Sequence, residues 1–174
     1  KEVEHNGKAQ KYLSSLEWLV RADIIRLVRN VSLPRFDLED YSMEDNFRAY
    51  PCDLSLLLAM RDFPLKRQIV ENTLQGTTKG GLYECAVADI LMKKNLRIWF
   101  YRNETKKHEI DFMMQQDGSP VPIEVKSGNT KASSLNAIMK GNPDIPMAYK
   151  LIDGNIGEPE NRILSIPLYA AMFL

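Results

Sequence analysis

Thiols and imidazoles are scarce in this chain: two cysteines, Cys52 and Cys85, and two histidines, His5 and His108, with no close pairing of the two types. That scarcity argues against a zinc centre, which needs clustered Cys and His ligands. Both thiols are expected to be free and structural, a usage that fits a reducing cytoplasm, although two cysteines also leave a single disulfide open. Net charge is missing as well. Lys and Arg number 23 and Asp and Glu number 23, so no global basic field advertises nucleic acid and any such affinity has to come from local clusters. There is no apolar run of spanning length and no signal peptide, so no membrane is expected as a partner. The glycine-rich QGTTKGG stretch from Gln75 to Gly81 lacks the G-x-x-x-x-G-K-[ST] order of a phosphate loop, and reads instead as a flexible lead into a helix. Internal repeats and low-complexity tracts are absent.

What remains is an ordinary globular composition, 44% hydrophobic and 26% charged over 174 residues, enough for one α/β domain and a smaller appendage. Lys1 in place of Met marks an expected fragment of a longer protein. Apolar residues from Tyr12 to Val20 recur at helical spacing, and Ile24 to Val28 form a second short element. Pro34 and the five acids between Asp37 and Asp45 read as a loop, and Leu54 to Met60 as a short buried helix ended before Pro64. A soft boundary near residues 65–79 separates a small helical segment, 1–64, from a main domain, 65–174.

In the main domain a helix is expected from about Gly81 to Lys94, with Glu84 just beyond the edge of its apolar arc. Strands are expected at Arg97–Arg102, His108–Gln115 and Pro120–Ser127. A helix near Ser134–Lys140 and strands at Met147–Ile152 and Ile163–Leu168 follow. This order predicts a mixed sheet flanked by helices, an α/β (α+β) fold.

The chemistry concentrates at Asp117-Gly118. Both central residues of a type I′ turn need positive φ, and Asp-Gly between two alternating strands supplies them. A two-residue loop sets Gln116 opposite Ser119, Asp111 opposite Glu124, and Glu109 opposite Lys126, with Ile110, Phe112, Met114, Val121, Ile123 and Val125 on the other face. Asp111 and Glu124 then form a non-hydrogen-bonded pair with Cα atoms about 4.5 Å apart. Two carboxylates so placed repel unless a cation sits between them. Oxygen-only ligands favour Mg²⁺ or Mn²⁺. The competing reading is a plain cross-strand Glu109–Lys126 ion pair with Asp111 solvated at a strand edge. Pro120 and Pro122 fall where this hairpin needs no N–H, and predict that the other edge of their strand is unpaired there.

The segments EIDF (Glu109 to Phe112) and PIEVKSG (Pro122 to Gly128) resemble the D-x(n)-E-x-K signature of the PD-(D/E)XK nuclease superfamily, and GGLYE, ending in Glu84, resembles its first-helix acid. More narrowly, the chain resembles the domain that follows a AAA-type ATPase in many bacterial and archaeal proteins. The shared order is a YL-x-x-L segment (Tyr12 to Leu16), an aromatic-Asp-Leu motif (Tyr50 to Leu54), G-x-x-Y-E (Gly80 to Glu84), the D…E-x-K hairpin (Asp111 to Lys126) and I-P-L-Y (Ile166 to Tyr169). One departure is YPCDLSLL, where a glycine is expected near Ser55.

The resemblance implies a restriction-endonuclease-like mixed sheet after a small, winged-helix-like segment, and an ATPase domain as partner. It implies that Asp111, Glu124 and Glu84 hold Mg²⁺ (or Mn²⁺) with the carbonyl of Val125, and that Lys126 orients or activates the attacking water. The implied activity is hydrolysis of DNA phosphodiesters in the cytoplasm. Six basic residues, Lys93, Lys94, Arg97, Arg102, Lys106 and Lys107, against one acid, Glu104, form the expected DNA-contacting patch. Trp99, Phe100 and Tyr101 lie between them, with core the stronger reading for Trp99 and Tyr101. The alternative is a non-catalytic DNA-binding or partner-docking module regulating the ATPase, or a homo-oligomerisation module built on Leu54 to Met60 and the apolar tail Ala170 to Leu174.

Overall fold

The computed structural model describes residues 12–103, 105, 107–128 and 131–174. In chain order these form α1 (Leu13–Arg21), β1 (Ile25–Val31), β2 (Ser42–Pro51), α2 (Leu54–Ala59), α3 (Phe63–Val70) and α4 (Gly76–Lys93). Then come β3 (Ile98–Asn103), β4 (His108–Gln116), β5 (Ser119–Lys126), α5 (Ser133–Gly141), β6 (Ala148–Ile152) and β7 (Ile163–Pro167). The strands make one mixed sheet in the order β2-β1-β3-β4-β5-β6-β7. β1 runs parallel to β3, and β5, β6 and β7 are mutually parallel, while the remaining neighbours are antiparallel. The mixed α/β class expected from the element order is therefore the class observed.

Each face of the sheet carries its own core. Val87, Ala88 and Leu91 of α4 pack with Phe100, Phe112, Met114, Val121, Ile123 and Leu151. On the other face Leu135, Ile138 and Met139 of α5 pack with Trp99, Tyr101, Ile110 and Met113. The α5 residues fall at helical i, i+3, i+4 spacing, so one stripe of the helix is buried. α5 ends in carbonyls with no helical partner, and the Arg162 guanidinium, just before β7, donates to four carbonyls there, that of Met139 in the last turn and those of Asn142 at 3.3 Å, Pro143 at 3.1 Å and Ile145 beyond it. Arg162→Ala is expected to cost about 2 kcal/mol, since two partly buried carbonyls, those of Met139 and Ile145, lose their donor together with two exposed ones. Urea unfolding checks this, and a midpoint unchanged from wild type would contradict it.

Residues 1–64, expected as a small helical segment, differ from that expectation in their described part. β1 and β2 join the same sheet as the rest, with Arg29, Asn30 and Val31 paired to Trp99, Phe100 and Tyr101. The acidic stretch expected as a loop contains a single 3₁₀ turn, Leu38–Tyr41, and then β2. β2 is an edge strand with only Tyr50 buried, so its SMEDNFRAYP sequence shows no apolar alternation. Its charges protect an exposed edge against pairing with other chains. α2 was expected to be buried, yet none of its residues is. The glycine-rich stretch is helical, supplying the first turns of α4.

The hairpin forms as expected: Asp117 has φ 49° and Gly118 φ 79°. Pairing runs from Gln116–Ser119 to Phe112–Ile123 in the register the two-residue loop dictates. β5 meets β6 only from Ile123 onward, so the edge beside Pro120 and Pro122 carries no ladder, as the prolines require.

Candidate functional site

The site forms where β4 and β5 part. Ile98 and Trp99 face Met114 and Met113, but Tyr101 faces Ile110, so Asp111 and Phe112 together oppose Phe100. This β-bulge shifts the side-chain alternation. Ile110 consequently packs on the α5 face, whereas Phe112 and Met114 pack on the α4 face. The expectation of Ile110 and Phe112 on one surface is thereby corrected. In an unbroken ladder the Val125 N–H would donate to the Ile110 carbonyl. Here it donates instead to Asp111 Oδ2 at 2.8 Å, and the carboxylate replaces the backbone at the point of divergence.

Among the described residues Glu124 is the one buried acid, 4% exposed. Lys126 Nζ lies 2.5 Å from its Oε1, while Oε2 is buried without a hydrogen-bond partner. The competing reading, a cross-strand Glu109–Lys126 ion pair, is therefore not what forms. Lys126 turns along its own strand to Glu124, and Glu109 pairs with Arg48 and, at 3.9 Å, with Arg102.

These charges act on one another at close range. Burial and then the Glu124 charge push the Asp111 carboxyl up to about 7, against the Val125 N–H that favours its ionised form. Burial likewise raises Glu124, opposed by Lys126 and by the Asp111 N–H. For Lys126 burial acts downward, but the Glu124 carboxylate, with Asp111 and Glu84 behind it, offsets this and leaves the ammonium raised. A cationic Lys126 beside two acids competing for ionisation is the arrangement of a site wanting more positive charge.

Glu84 sits one helical turn before Val87 and Ala88 on the buried face of α4, and leans onto β2. There Arg48 Nη1 donates to its Oε1 at 3.0 Å, and the Tyr50 hydroxyl donates to the same oxygen. Burial first, and then Glu84, raise the Tyr50 phenol. Arg48 and Tyr50 were not singled out as site residues from sequence. Tyr50 appeared only in the aromatic-Asp-Leu motif, and Arg48 carried no signal beyond sitting two positions earlier on a strand.

The basic patch does not assemble as one surface. Lys93 pairs with Asp53 at 2.8 Å and Asp89 at 2.9 Å, Lys94 donates to the carbonyls of Met172 and Leu174, and Arg97 pairs with Glu39 at 2.5 Å. These three lie before β3, while Arg102 and Lys107 lie at its far end, where β4 begins; a six-residue strand spans roughly 17 Å. Lys106 lies outside the described residues. Trp99, Phe100 and Tyr101 are all core.

A divalent cation fits this site in one respect and not in another. Glu124 Oε2 is a buried carboxylate oxygen without a partner, and Asp111 is driven toward protonation by its neighbour. Yet among the described residues no group of three or more Asp, Glu, His or Cys stands ready as a metal cluster, and Glu84 is engaged by Arg48 and Tyr50. The donors that fit are Asp111 and Glu124, two carboxylates whose oxygen chemistry suits Mg²⁺ or Mn²⁺. Among the described residues Cys52 and Cys85 are free, and no helix is long and apolar enough to cross a membrane.

In comparison with known proteins, residues 79–169, just over half of the chain, fit the sequence family described as a domain of unknown function, DUF4143. No curated protein and no solved structure matches.

Proposed function

The chain belongs to the DUF4143 family, and for it we propose a Mg²⁺-dependent, PD-(D/E)XK-type nuclease domain that hydrolyses DNA phosphodiesters, as one part of a AAA-type ATPase protein. The observation that carries this reading is the meeting of Asp111, Glu124 and Lys126 at the divergence of β4 and β5, with Val125 N–H bound to one carboxylate and Glu124 Oε2 unpartnered.

Asp111 and Glu124 would hold the cation, with the Val125 carbonyl beside them, and its chemistry there would be to polarise a phosphoryl oxygen and acidify water. The chain's own part is positional and electrostatic. Asp111 is fixed by the Val125 N–H, so its free oxygen is aimed without further ordering. Lys126, a cation within reach of the same space, offsets negative charge as it develops on the phosphate. Arg102 and Lys107, at this end of the sheet, would draw the DNA backbone toward the opening.

Incubating the whole chain with duplex and single-stranded DNA is expected to give cleavage with Mg²⁺ or Mn²⁺ and none with EDTA. Equal inertness across metals and both substrates would remove the reading. A second reading, a non-catalytic DNA-binding, docking or self-association module regulating the ATPase, draws on the internal pairing of Lys93, Lys94 and Arg97 and on α2, which buries none of its residues. Sedimentation at several concentrations, and DNA affinity measured against salt, separate the two.

A further inference from the structure

Arg48 stands at the centre of an acidic cluster that the proposed chemistry does not use. Its Nη1 contacts Glu84 Oε1 at 3.0 Å and the Asp111 carbonyl at 3.5 Å, and its Nη2 donates to Glu109. The guanidinium lies 4.4 Å above the Phe100 ring, which fixes it from below. Its side chain is 22% exposed. Each limb of the planar fork thus holds a different carboxylate, a division that a lysine ammonium cannot reproduce. Tyr50, two residues on along β2, donates its hydroxyl to the same Glu84 oxygen. Glu84 also raises the charge pressure on Asp111, Glu124 and Lys126, so its carboxylate acts on the same space they occupy.

We propose that Arg48 and Tyr50 form a latch that withholds Glu84 from the cation site, Arg48 acting as a built-in positive charge where a third carboxylate ligand would otherwise serve the metal. The inference rests on the metal-site reading above, and it makes Arg48 a positioning residue. In the resting chain two carboxylates are available to a divalent ion. Release of Glu84 adds a third. Affinity for a hard divalent cation climbs with the number of anionic ligands, by on the order of tenfold for one more carboxylate in a partly buried site.

Mn²⁺ titration of the whole chain without DNA, followed by electron paramagnetic resonance of the free ion, tests this. Arg48→Gln is expected to bind Mn²⁺ about tenfold more tightly than wild type, and Tyr50→Phe, which keeps the guanidinium, about threefold. Both gains should vanish when Glu84→Gln is added, and Arg48→Lys, whose single ammonium cannot hold both carboxylates, should fall between wild type and Arg48→Gln. A loss of packing alone would loosen the site rather than tighten it. Thermal melts of each variant show whether it folds, and the Tyr50→Phe arm stands if Arg48→Gln does not. Unchanged affinity in both variants, with binding still lost in Asp111→Asn, overturns the latch and leaves the metal site standing. Absence of Mn²⁺ binding in wild type and every variant overturns both.

Discussion

Lys126→Ala is expected to lower metal-dependent cleavage of duplex DNA by about 10²–10³-fold, the size of effect seen when a single pre-placed electrostatic donor is removed from an active site. It should also cost the metal-free chain about 3 kcal/mol at pH 8, because it strands an acid whose counter-charge is gone. Glu124 is 6% exposed at its side chain, and Lys126 is the only ion-pair partner described for it. The two effects separate chemically. Lys126→Arg keeps a positive charge beside Glu124 and should recover most of the stability, while a planar guanidinium cannot place a single donor where the ammonium stood and should recover little of the cleavage. Initial rates at saturating Mn²⁺, with urea unfolding of the same preparations, check both halves. Wild-type cleavage in Lys126→Ala would sink the assigned role of this lysine.

The metal-free chain is expected to be about 2 kcal/mol more stable at pH 5 than at pH 8, the reverse of what an ordinary salt-bridged carboxylate produces. The sign follows from Asp111, whose carboxyl in the folded chain is raised to about 7 from an ordinary value of 3.8. Between those two pH values the folded chain holds a proton that the unfolded chain has released. Folding therefore weakens as pH rises through the window and levels off above it. Glu124, raised for the same first cause, acts in the same direction. Asp53, held near 2 by Lys93, contributes in the opposite sense, but only below the window. Asp111→Asn should flatten the profile, and saturating Mn²⁺ should lift its high-pH side by favouring the ionised pair. Chemical denaturation at half-unit steps of pH measures it, and stability rising from pH 5 to pH 8 in the wild type would contradict the coupling.

The hairpin shows how far local sequence reaches. Asp117-Gly118 dictated the turn and the register from Gln116–Ser119 to Phe112–Ile123, and Pro120 and Pro122 foretold which edge of β5 stays bare. The same register, carried one pair further, placed Asp111 opposite Glu124 but missed the bulge against Phe100. That bulge depends on β3, a neighbour across the other edge of β4, and nothing within β4 encodes it. β2 escaped notice for a related reason: an edge strand buries little, so the alternation that reveals strands is missing from it.

Sequence by itself determined the helix and strand order from α4 onward, the Asp-Gly turn, and the candidacy of Asp111, Glu124 and Lys126, because these rest on periodicity and on residues a turn or a hairpin apart. Tertiary structure alone decided that Lys126 turns to Glu124, that the basic residues are split between two ends of β3, and that Glu84 is held by Arg48 and Tyr50. Those partners lie 36 and 34 positions from Glu84, on a strand that reaches α4 only through the folded sheet. Charges so far apart in the chain find each other by packing, and packing is a property of the whole assembly of elements.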